Sequence, residues 1–189
     1  PEGGARDVEA RGVRAGDVLV GIAASGTTPY VRGALARARA VGARTAIVAC
    51  SPPPAETLRH VDVAIVPVTG PEVLTGSTRL KAGTATKMVL NMITTGAMIR
   101  VGKAYGNLMV DLRATNLKLV DRSERIVMEV CGLAREDARA LLARADARVK
   151  VAIVMHKLGV ERDAAERALE GGGGVIRRVV ADAPPPVPA

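Results

Sequence analysis

Hydroxyl groups and positive charges are concentrated in the segment TGSTRLKAGTATK, Thr75 to Lys87, directly ahead of an apolar run. Guanidinium, ammonium and hydroxyl groups beside the first turn of a helix can hold the phosphate of a sugar phosphate. The alternative is that Arg79 and Lys81 are exposed or pair with acids, and few acids lie nearby in the sequence to support it. The segment therefore predicts an anion site with four candidate residues: Ser77, Thr78, Arg79 and Lys81.

One carboxylate, Glu72, lies just ahead of this segment. It could serve as an acid/base group or accept a hydrogen bond from a sugar hydroxyl. The alternative, which the residue types favour, is a structural carboxylate or a negative charge at a helix N-terminus. On the first of these interpretations, Glu72 is kept among the candidate substrate-binding residues.

A second polar segment, AASGTTPY from Ala23 to Tyr30, lies where a predicted strand meets a predicted helix. Ligands of open α/β sheets bind at the carboxyl ends of strands, where a helix N-terminus offers N–H groups to an anion. The alternative is a plain helix cap, since Ser and Thr are common caps and Pro29 suits the first helical position. Both interpretations stay open, and the candidate residues are Ser25, Gly26, Thr27 and Thr28.

The remaining reactive residues are few: Cys50, Cys131, His60 and His156. Neither the cysteines nor the histidines have zinc-ligand spacing, and the sequence contains no Ser/His/Asp order, GxGxxG motif or P-loop. We therefore predict no metal and no cofactor. Two separated cysteines and the lack of a signal-like stretch favour a reduced, cytoplasmic setting.

The net charge of +8 is concentrated in one region. Between Gly76 and Lys118 there are seven Lys or Arg residues against one acid, Asp111. Aromatic residues, which stack on bases, make up only 1% of the chain, and this argues against a nucleic acid partner. A local positive segment suits a small phosphorylated ligand better. No apolar run reaches the roughly 18 residues of a membrane span, so no membrane partner is expected.

The polar segments need elements to position them, and the region Asp17 to Cys50 predicts a strand, a helix and a second strand. Such a βαβ unit implies a parallel sheet with a right-handed crossover. The segment VDVAIVPV, Val61 to Val68, predicts a third strand. Parallel sheets normally have more than three strands. We therefore predict an α/β fold in which the N-terminal part of the sheet is missing from this chain.

Helices are predicted through the rest of the chain. Apolar residues recur at helical spacing from Gly83 to Val101, which predicts a long helix with one buried stripe. A further helix is expected at Leu117 to Val130, with shorter ones behind it. The predicted domains are 1–120 for the α/β domain, 121–180 for a small all-α domain, and 181–189 for a disordered Pro-rich tail.

Two segments carry a resemblance to the N-acetylmuramic acid 6-phosphate etherases: VGIAASGTTPYV and GPEVLTGSTRLKAGTATKMVLNMITTGAMIRVGKAYGNLMVDLRATNLKL. These are sugar-isomerase-type (SIS) domain proteins, related also to the glucokinase regulatory protein. The second segment covers residues 70–119 and is very specific. The resemblance extends over essentially the whole chain. It implies a SIS-type parallel sheet with flanking helices, followed by a UBA-like helical domain.

The resemblance also implies an activity. The etherases cleave the lactyl ether of N-acetylmuramic acid 6-phosphate, giving N-acetylglucosamine 6-phosphate and D-lactate during bacterial cell-wall recycling. The implied route is proton removal at C2, elimination of lactate from C3 and addition of water, without a metal or organic cofactor. The implied assembly is a homodimer with sites near the subunit interface, and the implied ligand is an amino-sugar phosphate.

Individual residues can be carried over from the family pattern. The run Ser25, Gly26, Thr27 and Thr28 falls on the family's second sugar-phosphate loop, and the candidates from Ser77 to Lys81 fall on its signature segment. The family often has Arg where this chain has Thr27, so a phosphate or sugar contact differs there. The family's first phosphate loop and two acid/base glutamates correspond to positions upstream of this chain. We therefore expect no catalytic residue here, and a C-terminal portion that is inactive alone.

Two other classes of function stay open. One is a non-catalytic sugar-phosphate-binding regulator of the glucokinase-regulatory-protein type. The other is a structural or dimerisation fragment without ligand binding. Two suitably placed upstream carboxylates would favour the enzyme, whereas a ligand-induced rise in thermal stability would exclude the fragment without binding.

Overall fold

The computed structural model describes residues 1–181. The Pro-rich tail predicted for 181–189 therefore lies, except for its first residue, outside the described residues. The chain divides into two compact units, the first running from Pro1 to Ile93 and the second beginning at Thr94. Within residues 1–181, no helix is both long and apolar enough to cross a bilayer.

The first unit is an α/β unit built on a three-stranded parallel sheet in the order β1-β2-β3. Val18 of β1 pairs with Arg44 of β2, and Ala46 of β2 pairs with Val63 of β3. The predicted α/β class is confirmed at this level. The elements are α1 (Glu2–Ala10), β1 (Val18–Ile22), α2 (Pro29–Ala40), β2 (Arg44–Val48), α3 (Ala55–Leu58), β3 (Val63–Ile65) and the start of α4 (Lys81–Arg100).

The βαβ unit forms where the sequence predicts it, and its turn residues explain why. Pro29 occupies the first turn of α2, where a missing N–H costs nothing. Gly42 ends that helix in the left-handed conformation with φ 84°. The N–H of Ala43 then donates to the Ala38 carbonyl at 3.0 Å, which closes the cap. The third strand is shorter than the predicted Val61 to Val68.

Helix α1 is an element that the sequence did not predict. It packs against α2 at backbone distance, because a Cβ at Gly4 would lie 2.0 Å from the Tyr30 carbonyl oxygen. A Cβ at Gly33 would lie 1.9 Å from the Pro1 carbonyl oxygen. The Tyr30 hydroxyl also donates to the Asp7 carboxylate at 2.5 Å. These contacts fix α2, and therefore the loop that precedes it.

The second unit is helical, with one short hairpin. Glu124, whose side chain is 5% exposed, joins α5 to α6 by accepting hydrogen bonds from Arg135 and Arg139, both at 2.7 Å. The core is aliphatic and includes Val127, Ile153 and other fully buried side chains. The elements are β4 (Ala104–Tyr105), β5 (Leu108–Met109), α5 (Leu117–Cys131), α6 (Arg135–Arg144), α7 (Val149–Leu158), α8 (Arg162–Gly171) and α9 (Ile176–Val179).

The hairpin and the loop after it belong to the core of this second unit, to which Tyr105, Val110 and Leu112 contribute. The boundary between the two units falls within α4, between Ile93 and Thr94. The domain limits predicted from the sequence, at 120 and 180, stay predictions.

The prediction of one buried stripe along α4 is wrong. Only Ala82 and Val89 of this helix are buried. Met88 and Met92 are 56% and 62% exposed, and Met98 is exposed as well. Periodicity identifies the face of a helix that is able to be buried, but it does not guarantee that another element covers that face. The apolar face of α4 is therefore surface in this chain.

Candidate functional site

The loops that follow the three strands are bound to one another at the carboxyl edge of the sheet. The backbone N–H of Cys50, just after β2, donates to the Ala24 carbonyl after β1 at 2.8 Å. The N–H of Thr69, after β3, donates to the Cys50 carbonyl at 3.4 Å. The segment Ala23 to Tyr30 begins at this edge, where ligands of α/β sheets bind. The start of α4 lies beside the same edge, since the Cys50 thiol donates to the Ala82 carbonyl.

The loop after β1 is held rigidly by its backbone. Gly26 has φ 70°, and a Cβ there would lie 2.7 Å from the Cβ of Pro53. The buried Thr57 hydroxyl donates to the Gly26 carbonyl at 3.0 Å. Glycine is thus required twice, for its left-handed backbone and for the close approach of Pro53. The predicted candidate Gly26 is a positioning residue in this geometry.

The hydroxyl groups of this loop are exposed. Ser25 Oγ and Thr27 Oγ1 lie 2.7 Å apart and are hydrogen-bonded, and the Thr27 N–H donates to Ser25 Oγ at 3.3 Å. Thr28 occupies the N-cap position of α2, yet its side chain makes no capping hydrogen bond. The plain-cap interpretation therefore does not describe Thr28. Its hydroxyl and the first-turn N–H groups of α2 can reach an anion.

At the start of α4, Glu72 is a helix cap. One of its carboxylate oxygens accepts from the Lys81 N–H and the other from the Ala82 N–H, both at 3.0 Å. The hydrogen bonds from Ala82 and then Lys81 hold the pKa of Glu72 below its ordinary value. This geometry agrees with the structural alternative that the sequence left open. The N-terminus of α4 therefore already has a carboxylate bound to its first N–H groups. Those N–H groups are not available to a ligand phosphate.

The two cations of the signature segment differ in what they contact. Lys81 Nζ donates to the Pro71 carbonyl at 2.9 Å, which folds the side chain back on its own loop. Arg79 is exposed and has no hydrogen bond or ion pair within residues 1–181. Thr78 is exposed and Ser77 is partly exposed. Arg79 is therefore the cation best placed to receive an anionic ligand.

Cys50 connects α4 to the sheet edge, a role that sequence reasoning missed. Its buried thiol donates to the Ala82 carbonyl at 3.5 Å and lies 3.6 Å from Thr86 Oγ1. The Ser51 hydroxyl donates to the Ala24 carbonyl at 3.4 Å. The only signal in the sequence is that Cys50 is the last residue of a predicted strand and that Ser51 follows it. In the described part of the chain, no hydrogen bond links the hydroxyls at 25–28 directly to those at 77–78.

A metal site is absent from this arrangement. No group of three or more His, Cys, Asp or Glu side chains among residues 1–181 could hold a metal ion. The chemistry offered by the edge is hydrogen bonding through hydroxyls and backbone N–H groups, together with the positive charge of Arg79.

Known proteins similar to this chain are etherases. It is 57% identical over 180 residues to the N-acetylmuramic acid 6-phosphate etherase of Mycolicibacterium smegmatis, covering 95% of this chain and 60% of that protein. The proteins of the same name from Cronobacter sakazakii and Salmonella typhimurium are 53% and 52% identical, over 92% and 93% of this chain and 58% and 59% of their own lengths. No protein-family model matches the chain.

The chain thus spans about 60% of the length of the curated relatives it matches. Within that span the likeness is nearly continuous, since it covers more than 90% of the chain at more than half identity. It includes both polar loops at the carboxyl edge of the sheet. Over the length that it spans, this chain is similar to N-acetylmuramic acid 6-phosphate etherases at more than half identity.

Proposed function

We propose that this chain provides the sugar-phosphate-binding part of an N-acetylmuramic acid 6-phosphate etherase, a carbon–oxygen lyase. The reaction cleaves the D-lactyl ether to give N-acetylglucosamine 6-phosphate and D-lactate, in the recycling of cell-wall amino sugars. The observation that carries the proposal is the 52–57% identity to proteins of that name over more than nine-tenths of the chain. Because the chain spans about 60% of the length of those proteins, we propose only that it contributes sugar-phosphate binding to the activity.

The proposed ligand lies between the two polar loops. Arg79 is the cation for the phosphate, since it is exposed and uses its charge on no other group within residues 1–181. A guanidinium binds two phosphate oxygens in a bidentate geometry that a hydroxyl cannot reproduce. On the other side, Thr28 and the first turn of α2 offer hydrogen-bond donors. The proposed ligand-binding residues are Ser25, Gly26, Thr27, Thr28, Glu72, Ser77, Thr78, Arg79 and Lys81.

Glu72 enters this proposal with two tasks. Its carboxylate fixes the start of α4, and the signature segment lies between Glu72 and that helix. Each of its oxygens accepts one hydrogen bond from the backbone, and a carboxylate oxygen has a second lone pair. That lone pair can accept a sugar hydroxyl, which keeps Glu72 among the proposed substrate-binding residues.

The proposal extends to the setting of the protein. The sheet is a part of a SIS-type domain, and the second unit contains a UBA-like helical domain. The protein works in the cytoplasm without a cofactor, as a homodimer. The exposed Met88, Met92 and Ile93 of α4 support the dimer, because a continuous apolar face favours burial against another chain. Sedimentation velocity measures the assembly.

Binding of the reaction product tests the proposal. We expect N-acetylglucosamine 6-phosphate to raise the thermal midpoint of the purified chain, since a ligand that binds the folded state stabilises it. Arg79→Gln is expected to weaken this binding about tenfold or more, because hydrogen bonds to a charged group contribute about 1.5–3 kcal/mol. The matched control is Arg6→Gln, which removes another exposed arginine of the same unit.

The outcomes are distinct. A thermal midpoint that is unchanged by the sugar phosphate, or an equal response of the Arg79 and Arg6 variants, would contradict the proposed site. The alternative of a non-catalytic sugar-phosphate-binding protein is favoured by one observation, the engagement of Glu72 as a helix cap. Both functions require binding, and neither is expected to release D-lactate from this chain alone. Two suitably placed carboxylates upstream of this chain would favour the enzyme.

A further inference from the structure

A cavity of about 480 Å³ in the second unit concentrates positive charge. Small-molecule sites typically occupy about 300–1,000 Å³, so this cavity has the size of a ligand site. The apolar part of its wall includes Val110 and Val149. Its charged lining consists of four cations and a single carboxylate: Lys103, Arg113, Arg148, Lys150 and Asp111.

The ion pairs in this cavity leave positive charge in excess. Asp111 is shared by two ammonium groups, with Lys103 Nζ at 3.2 Å and Lys150 Nζ at 3.7 Å. Arg148 pairs with Glu166. The guanidinium of Arg113 has neither a hydrogen bond nor an ion pair with any residue of the described chain. One carboxylate for two lysines, together with an unpaired arginine, leaves the cavity electropositive.

Lys150 is expected to attract an anion strongly because it is largely buried. Its side chain is only 15% exposed. A cation withdrawn from water attracts an anion more strongly than an exposed one, because the surroundings screen the charge less. The wall beside it is backbone, since a Cβ at Gly174 would lie 3.7 Å from Lys150 Nζ. Gly174 is itself fixed against Gly102, where an added Cβ would lie 2.5 Å from the Gly174 carbonyl oxygen.

The first turn of α7 opens into the same cavity. Val149, Lys150 and Val151 all line it, and they are the first three residues of that ten-residue helix. Arg148 occupies the N-cap position without a side-chain capping bond. The N–H groups of a first turn have no acceptor within the helix, and the helix dipole favours negative charge there. The backbone therefore adds donors to the four cationic side chains.

We propose that this cavity binds a phosphate dianion, either free phosphate or the phosphate group of a small monoester. The surplus of positive charge favours two negative charges over one. The donors available, two ammonium groups, two guanidinium groups and the first turn of α7, match the several acceptor oxygens of a phosphate. This proposal rests on residues of the second unit alone and does not depend on the proposed etherase function.

The test is a titration of the full chain with inorganic phosphate, in which the chemical shifts of the backbone amides are recorded by NMR. We expect the amides of Val149, Lys150, Val151 and Gly174 to move with one dissociation constant. Arg113→Gln is expected to raise that dissociation constant at least fivefold. The variant is expected to keep its fold, because the Arg113 side chain has no ion pair to lose. Asp111→Asn is expected to lower the dissociation constant, because the carboxylate that competes with phosphate for the two lysines is removed.

Controls separate this cavity from the edge of the sheet. Arg79→Gln is expected to leave the shifts of these four amides unchanged, whatever happens to sugar-phosphate binding elsewhere. Glycerol 3-phosphate and inorganic phosphate are compared to decide between a monoester and the free ion, and acetate is expected to bind at least tenfold more weakly. Amides that do not move, equal constants for the wild type and Arg113→Gln, or acetate binding as tight as phosphate would overturn the proposal.

Discussion

Single residues decide how the carboxyl edge of the sheet can bind a ligand, and Glu72 shows this most directly. Its two carboxylate oxygens hold the Lys81 and Ala82 N–H groups, which would otherwise be open donors at the end of α4. Because those hydrogen bonds favour the ionised carboxylate, they lower the pKa of Glu72. The same contacts therefore couple the stability of the fold to pH.

Glu72→Gln tests this coupling. The pKa of the folded carboxylate lies below the ordinary value of 4.5, so ionised Glu72 stabilises the fold at pH values above 4.5. That contribution is lost as the pH falls through the lowered pKa. We expect the variant to melt a few degrees below the wild type at pH 7, and the gap to close at acidic pH. Thermal melts from pH 7 to pH 3 measure it.

The matched control for that series is Glu129→Gln on α5. Glu129 is exposed and has no ion pair among the described residues. Its variant should follow the wild type at every pH. A gap between wild type and Glu72→Gln that stays constant down to pH 3 would mean that the side chain acts through packing or polarity instead of charge.

Candidate residues of the site can be chosen by type from the sequence, but their contacts cannot be predicted from it. Hydroxyls, glycine and cations beside a strand end indicate an anion site from spacing alone, and that site stays a prediction. The sequence could not show that Lys81 folds back on the Pro71 carbonyl while Arg79 stays unpaired. Nor could it show Cys50 beneath α4, because that contact joins residues far apart in the chain. Side-chain contacts of this kind depend on tertiary packing, which spacing does not contain.

Among the elements, the contact of α1 with α2 sets the position of the loop after β1. The two helices approach so closely that the Gly4 Cα has a backbone carbonyl where a side chain would be. The Asp7 to Tyr30 hydrogen bond joins the same pair of helices. A side chain at Gly4 would force the helices apart.

Two alanine substitutions in one turn of α1 separate packing from helix propensity. Gly4→Ala places its Cβ 2.0 Å from the Tyr30 carbonyl oxygen, whereas the Cβ of Gly3→Ala has 3.7 Å to the nearest Tyr30 atom. Both changes raise helix propensity, by up to about 1 kcal/mol. We expect Gly3→Ala to be neutral or stabilising and Gly4→Ala to lower the free energy of unfolding by about 1–3 kcal/mol. Urea denaturation measures both, and equal values would remove the packing argument.

The elements that the sequence predicted are those with long, regular apolar patterns. The βαβ unit, α4 and the helices after Leu117 have such patterns and formed within a few residues of the expected bounds. Helix α1 contains two glycines and buries only Gly4 and Val8, so it has no apolar stripe to detect. The hairpin β4–β5 has strands of two residues, too short to show an alternating pattern. Both missed elements are stabilised by tertiary contacts instead of by local propensity.

At the scale of the whole molecule, the number of carboxylates in the two candidate loops limits the acid/base chemistry that these loops can perform. Removing a proton at C2 and expelling lactate from C3 require a general base and a general acid within hydrogen-bond reach. The two candidate loops, residues 23–28 and 70–81, contain one carboxylate, Glu72. Both oxygens of Glu72 are hydrogen-bonded to backbone N–H groups, and the low pKa that results makes it a weak base.

We therefore expect the purified 189-residue chain to bind N-acetylglucosamine 6-phosphate but to release no D-lactate from N-acetylmuramic acid 6-phosphate. A coupled D-lactate dehydrogenase assay measures release, and a full-length etherase of the same family serves as the positive control. Binding without release agrees with a substrate-holding role, in which the acid and the base come from elsewhere. Turnover that persists in the wild type and disappears in Glu72→Gln would instead make Glu72 the acid/base group. In that case the helix-cap contacts would have to break when the substrate binds, and the lowered pKa of Glu72 would rise with them.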